Sequence, residues 1–180
     1  MKKSLVKVLI IVLVIIFLIK ISIYMAKVRE SKIEVENYIN DSSSYRYYNK
    51  VLINIPSIGL KSIIKKANYN FSNLDNNIVY YKNINPLNRI ILFSHSGYGY
   101  GTFFSRINEL KDKDLLYINY QDKSYKYTYY KSLLVDSNNT TFLYDVKNKK
   151  DIYLVTCKKN DKSKRLVVIF KLKSVKNVEK

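Results

Sequence analysis

One cysteine, Cys157, and one histidine, His95, occur among the 180 residues. A thiol attacks a carbonyl as its thiolate and needs an imidazole or a cation close by to form or use that species. A chain with a single residue of each type therefore offers a single candidate pair. Cys157 closes the apolar run DIYLVTC, ahead of the polar stretch KKNDKSK. His95 closes RIILFSH and is followed by a loop holding Gly97, Gly99 and Gly101, three of the chain's four glycines. Arg165 stands eight positions after Cys157, where RLVVIFKL begins. If the two runs flanking KKNDKSK pair as a hairpin, Arg165 returns beside Cys157, where its guanidinium can hold a carbonyl or a developing oxyanion. Taken singly, each residue has a plainer reading. A free cysteine on a strand is usually a small buried hydrophobe, a histidine beside a glycine loop is usually structural, and an arginine is usually a surface charge. The joint placement is the informative feature: each sits at the end of a strand, where sites are commonly built.

From Val51 onward, short runs rich in Ile, Val, Tyr and Leu alternate with Asn, Asp, Gly and Pro. This pattern predicts strands at Val51–Ile55, Leu60–Ile64, Ile78–Tyr81, Arg89–His95, Leu115–Tyr120, Tyr125–Val135, Asp151–Cys157 and Arg165–Leu172. Two short helices are expected between them. FSNLDNN would be capped by Ser72 and GTFFSRINEL by Thr102, the second presenting Phe103, Phe104, Ile107 and Leu110 as a packing stripe. YQDKS reads as a hairpin turn. Alternation sends Tyr153, Val155 and Cys157 to one face of their strand and Ile152, Leu154 and Thr156 to the other. Many short strands with few helices indicate one mostly-β domain, a barrel or a sandwich, and no internal repeat is present.

Residues 1–26 read as a cytoplasmic tail and membrane anchor, because Leu5–Ala26 is apolar apart from Lys7 and Lys20. About 20 apolar residues cross a bilayer as a helix, and flanking lysines reach the headgroups. A cleavable signal would want a small residue where Tyr24 stands, so the anchor is expected to stay uncleaved. Lysines on both sides leave the positive-inside rule indecisive, and only the short leading tail argues for a single pass with the remainder outside the cell. Residues 27–50 read as a stalk, 51–172 as the folded domain and 173–180 as a basic tail. A lone cysteine cannot form an intramolecular disulfide. Four of the 32 basic residues and none of the 14 acidic ones lie in the first 26, leaving the remainder at +14. Such charge suits anionic lipid, wall polymer or nucleic acid. The abundance of Lys, Asn, Ile and Tyr is equally what an AT-rich coding sequence produces, and a solvated surface is the preferred explanation.

The ordered segments FSHSGYGYGTFFSRINELKDKDLLYI, YKYTYYKSLLVD and IYLVTCKKNDKSKRLVV resemble the sortase family of Gram-positive membrane transpeptidases, as does the opening VLINIPSIGLKSII. The likeness covers about residues 51–172, and the pairing of LVTC with RLVV is its most specific part. It implies an eight-stranded sortase barrel in which the strands ending at His95 and Cys157 lie side by side and parallel, behind an N-terminal transmembrane helix. It also implies Cys157 as nucleophile, His95 as general acid and base, and Arg165 as the cation that orients substrate or steadies the oxyanion. Thr156 and Ser94 are expected to border bound substrate. The implied reaction cleaves a C-terminal LPxTG-type sorting signal between Thr and Gly, forms a thioacyl enzyme and passes the acyl group to an amine, a wall precursor or a pilin-like lysine. Neither a cofactor nor a metal is required by that chemistry, and no nucleic-acid partner is expected.

Ser94 stands where the family often has Gly, and Tyr153 where it has Thr; neither change removes a reacting group. The short connection from Val135 to Asp151 leaves no room for the helical insertion of class B, and the end after Leu172 lacks the second span common in class C. Acidic residues are too sparse to suggest the calcium site of class A, so a class D-like or unclassified small sortase fits best. Two rivals are excluded less firmly. A papain-like hydrolase uses Cys and His but wants its cysteine on a helix. A non-catalytic basic anchor protein would bind wall polymer or nucleic acid through Lys and Tyr, although alternating tyrosines on a strand are more often sheet packing.

Overall fold

The computed structural model describes residues 2–41, 49–80, 89–141 and 150–178. One long helix, α1 (Lys2–Asn40), leads into strands β1 (Val51–Ile55), β2 (Leu60–Lys66), β3 (Ile78–Tyr80), β4 (Ile90–Phe93), β5 (Leu115–Tyr120), β6 (Lys123–Asp136), β7 (Ile152–Lys158) and β8 (Asp161–Asn177). The strands close into a barrel in the order β1-β2-β3-β4-β7-β8-β6-β5. Pairing is parallel for β2 with β3 and for β4 with β7, and antiparallel elsewhere. All eight expected strands are present, although β6 and β8 run beyond their expected ends, β4 stops at Phe93 and leaves His95 just past it, and Tyr81 lies outside the described residues.

Period-two alternation explains how one sheet serves two sides. Val51, Ile53 and Ile55 of β1, Ile152 and Leu154 of β7, and Val168 and Phe170 of β8 point into the barrel core with Tyr125 and Tyr127. Their strand neighbours point outward into two further apolar clusters. Leu52 and Ile63 meet Val35 and Tyr38 of α1 in one. Tyr153, Val155, Val167 and Ile169 form the other, flanked by Ile91, Phe93, Leu133 and Val135.

Two turns are tighter than the sequence suggests. β5 and β6 pair through Tyr120 and Lys123, so only Gln121 and Asp122 make the turn, Gln121 taking a left-handed φ of 56°. β7 and β8 pair through Lys158 and Asp161, and the expected seven-residue turn shrinks to Lys159 and Asn160.

The helix expected over GTFFSRINEL is a series of turns ending in a 3-10 helix, Ile107–Glu109. The donors that would begin an α-helix are used elsewhere. The Phe104 amide donates to His95 O at 3.1 Å, the Ser105 amide to Thr102 O at 3.2 Å, and the Thr102 hydroxyl back to Gly99 O at 2.7 Å, so Thr102 caps nothing. The packing role of the stripe holds: Phe104, Ile107 and Leu110 are buried in the core and Phe103 packs against it. FSNLDNN also forms a 3-10 helix, Ser72–Asn76. Phe71, not Ser72, occupies its cap position and makes no side-chain cap bond. Asparagines hold this segment instead: the Asn68 and Asn73 side chains each accept the other's amide, and Asn73 Nδ2 donates to Lys66 O at 2.7 Å.

The helix α1 is long and apolar enough to cross a membrane, its most apolar window reaching a mean hydropathy of 3.0 with none of it buried. Beyond residue 27 the same helix continues, and one face lies on the barrel. Glu34 pairs with Lys50 at 2.8 Å and Lys65 at 3.6 Å, and the Tyr38 hydroxyl donates to Asn119 O at 3.2 Å. Reading this region as a stalk did not anticipate that contact, and its Ser-rich end lies within residues 42–48, outside those described.

Candidate active site

Parallel pairing of β4 with β7 sets the site. Phe93 is opposite Val155 at the last paired position, and the Ser94 amide continues the ladder to Val155 O at 3.4 Å. Two residues past that pair on each strand come His95 and Cys157, on strands that neighbour one another at about 4.8 Å. The antiparallel hairpin then places Arg165 directly opposite Cys157. All three continue the outward-facing rows of the second outer cluster: Ile91 and Phe93 lead to His95, Tyr153 and Val155 to Cys157, and Ile169 and Val167 to Arg165. A bulge between Cys157 and Lys158 ends the regular register at the thiol, a common device for re-aiming a side chain.

A cavity of about 280 Å³ is lined by His95, Cys157 and Arg165 together, with Ser94 and Thr156 in its wall. A second, of about 470 Å³, shares Cys157 and Thr156 and has apolar walls from Phe104, Leu133, Leu134 and Leu166. The thiol is free and half-buried. Arg165 is fixed in the wall by donating Nη1 to Lys162 O at 2.9 Å and Lys164 O at 3.3 Å, in the first residues of β8 beside the β7–β8 turn. Asp161, which starts β8 in that turn, accepts from Ser163, and this hydroxyl holds its carboxyl below the usual carboxylate range.

Ser94 and Thr156 are both buried. Thr156 donates its hydroxyl to Ser94 O at 2.7 Å, and Ser94 donates its own to Gly101 O at 3.2 Å. Their side chains thus brace the two strand ends and the glycine loop from inside the cavity wall. Residues the sequence did not single out add to this bracing. Ser96 donates to Cys157 O at 2.7 Å, Ser105 donates to Gly97 O at 2.8 Å, and the Lys159 ammonium lies 4.9 Å from the centre of the Tyr98 ring. Asp75 reaches His95 Nε2 at 3.1 Å from a segment twenty residues earlier. No local pattern signals these contacts, which join residues far apart in the sequence. Among the described residues no group of acidic, histidine or cysteine side chains could hold a metal ion.

A thiol, an imidazole and a guanidinium thus face one cavity at the ends of neighbouring strands. A family model for the sortase domain matches residues 53–173. The chain belongs to the sortase family. Solved sortases share its fold. Sortase A of Listeria monocytogenes superposes with a TM-score of 0.65 at 20% identity, covering 74% of this chain and 92% of that one. Sortase C-1 of Actinomyces oris gives 0.61 at 24%, covering 69% and 73%. The catalytic domain of sortase D from B. anthracis gives 0.57 at 21%, covering 72% and 90%. These likenesses span three classes and carry the fold alone. No curated protein sequence matches the chain. Sortases are cysteine transpeptidases that act on surface-protein sorting signals and pilin substrates, and this sortase has one cysteine available for that chemistry.

Proposed function

We propose that this sortase cleaves a C-terminal LPxTG-type sorting signal between Thr and Gly and transfers the acyl fragment to an amine. The observation that carries the reading is the convergence of the chain's only cysteine and only histidine, with Arg165, on one cavity. Cys157 passes its proton to His95 as its sulfur attacks the Thr carbonyl, while Arg165 faces the oxyanion of the tetrahedral intermediate. His95 gives the leaving Gly nitrogen its proton, and a thioester remains on Cys157. An incoming amine then attacks the thioester, loses a proton to His95 and releases the thiolate. The apolar walls of the larger cavity suit the aliphatic residues of the signal. The acceptor is a wall precursor or a lysine of a pilin-like protein, and a class D-like specificity is the working assignment. The apolar part of α1 anchors the enzyme in a single pass, with residues 27–180 outside the cell.

The test uses the full-length protein in detergent micelles, a panel of sorting peptides and several amines, with products identified by mass spectrometry. Cleavage between Thr and Gly, amine adducts, and a thioester trapped on Cys157 are expected, all lost in Cys157→Ala. Cleavage surviving in that variant would sink the proposal. Release of acid alone, with no adduct to any amine, would make the protein a hydrolase.

A further inference from the structure

The mechanism above asks one imidazole to present a lone pair to the thiol and to be protonated when the amine leaves. A histidine on a glycine-rich loop has two tautomers and a free ring rotation, and only some of those states serve. The geometry points to Asp75 as the positioning residue for His95: its carboxylate accepts the Nε2 proton and leaves Nδ1 to exchange protons at the active site. This role rests on the thioacyl-transfer reading above. Asp75 Oδ1 lies 3.1 Å from Nε2, with both side chains partly open to solvent, at 75% and 42% exposure. So exposed a pair contributes little to stability; what it supplies is orientation.

The contact is built rather than incidental, because independent features bring the 3-10 segment Ser72–Asn76 against the histidine loop. Gly101, at a left-handed φ of 86°, packs so closely that a Cβ there would lie 1.9 Å from Asp75 O. Gly101 O is held in turn by Ser94, the residue before His95, and His95 O by the Phe104 amide. On the other side, Phe71 packs edge-on to Phe93 with centroids 5.9 Å apart, and the asparagine bonds described above keep the segment from drifting.

The proton balance is closed. With the proton on Nε2 shared toward Asp75, Nδ1 takes the proton of Cys157 as sulfur attacks. The resulting imidazolium makes a charge-assisted hydrogen bond to the carboxylate. Nδ1 then delivers the proton to the leaving nitrogen, and in the second half accepts one from the incoming amine.

One histidine in the chain means that labelling histidine with nitrogen-15 yields a single imidazole, so the ring can be read without substrate. In full-length protein in micelles at neutral pH, Nε2 is expected to show the shift of a protonated ring nitrogen and Nδ1 that of an unprotonated one. In Asp75→Ala the two shifts move toward each other as tautomers mix, and in Asp75→Glu they return toward wild type. Gly101→Ala, which removes no polar group but forces the two segments apart, reproduces the Asp75→Ala ring. On a cleavable peptide, Asp75→Ala lowers kcat about 10-fold or more with KM changed less than about twofold, a fraction of the ~10²–10⁴ typical of acid–base catalysis. Its melting temperature is unchanged, and Asp75→Glu recovers part of kcat. Superimposable ring shifts in wild type and Asp75→Ala overturn the inference, as does an altered ring with kcat intact. If wild type cleaves nothing, the transpeptidase reading falls, while the ring shifts still decide whether Asp75 sets the tautomer.

Discussion

Cys157 and Arg165 are fixed opposite one another by hydrogen-bonded register on β7 and β8, and His95 follows the end of β4. Arg165 is the one whose chemistry a close substitute tests best. Lysine keeps the charge but loses the planar fork, which here must serve the β8 carbonyls of Lys162 and Lys164 while facing the cavity. Arg165→Lys should therefore lower kcat by about 10²-fold, the scale of losing one oxyanion donor. Peptide turnover measured beside a thermal melt checks this; near-normal turnover would remove Arg165 from the chemistry. The meeting of these three residues at one cavity was legible because each is rare or well placed: one Cys, one His, and an Arg at hairpin distance. Asp75 was not, since aspartate is common in the chain and nothing local marks a contact made only through tertiary packing.

Among the elements, the turns that follow the glycine loop form one side of the larger cavity, and Phe104 joins them to the core. Its ring is buried inside the barrel while the residue also lines the larger cavity. Phe104→Ala should cost about 3–5 kcal/mol by the transfer-plus-cavity rule for large core aromatics. Chemical denaturation would show it, and a loss under 1 kcal/mol would mean the loop is not anchored there. This is also where the sequence misled. Phe104, Ile107 and Leu110, the stripe's buried members, are spaced by three, which suits a 3-10 helix as well as one face of an α-helix. The strands were far more legible, because alternation fixes both their existence and the face each residue takes. Their ends were less so, since β8 extends to Asn177 through residues whose polarity gives no inward face to read.

The barrel as a whole depends on tyrosines that are buried, not on the surface patch their number suggests. Tyr127 is fully buried in the core, and burial pushes its phenol above the usual tyrosine range. Below the ordinary tyrosine value of about 10, folded and unfolded states hold the same proton and pH is without effect. Above it the unfolded phenol ionises and the folded one does not, so stability is lost as pH rises. Melting followed by circular dichroism should show a falling Tm above pH about 10, less steep in Tyr127→Phe. An unchanged slope in that variant would assign the alkaline loss to other tyrosines.

Because α1 runs without a break from its apolar stretch to the residues that dock on β1 and β2, it joins the barrel to that stretch as a gear rather than a string. Each residue added between the two would turn the barrel by about 100° and lift it by about 1.5 Å. Where the apolar stretch is seated in lipid, the height of the Cys157 mouth above the bilayer is therefore set by the number of residues between Tyr24 and Val35.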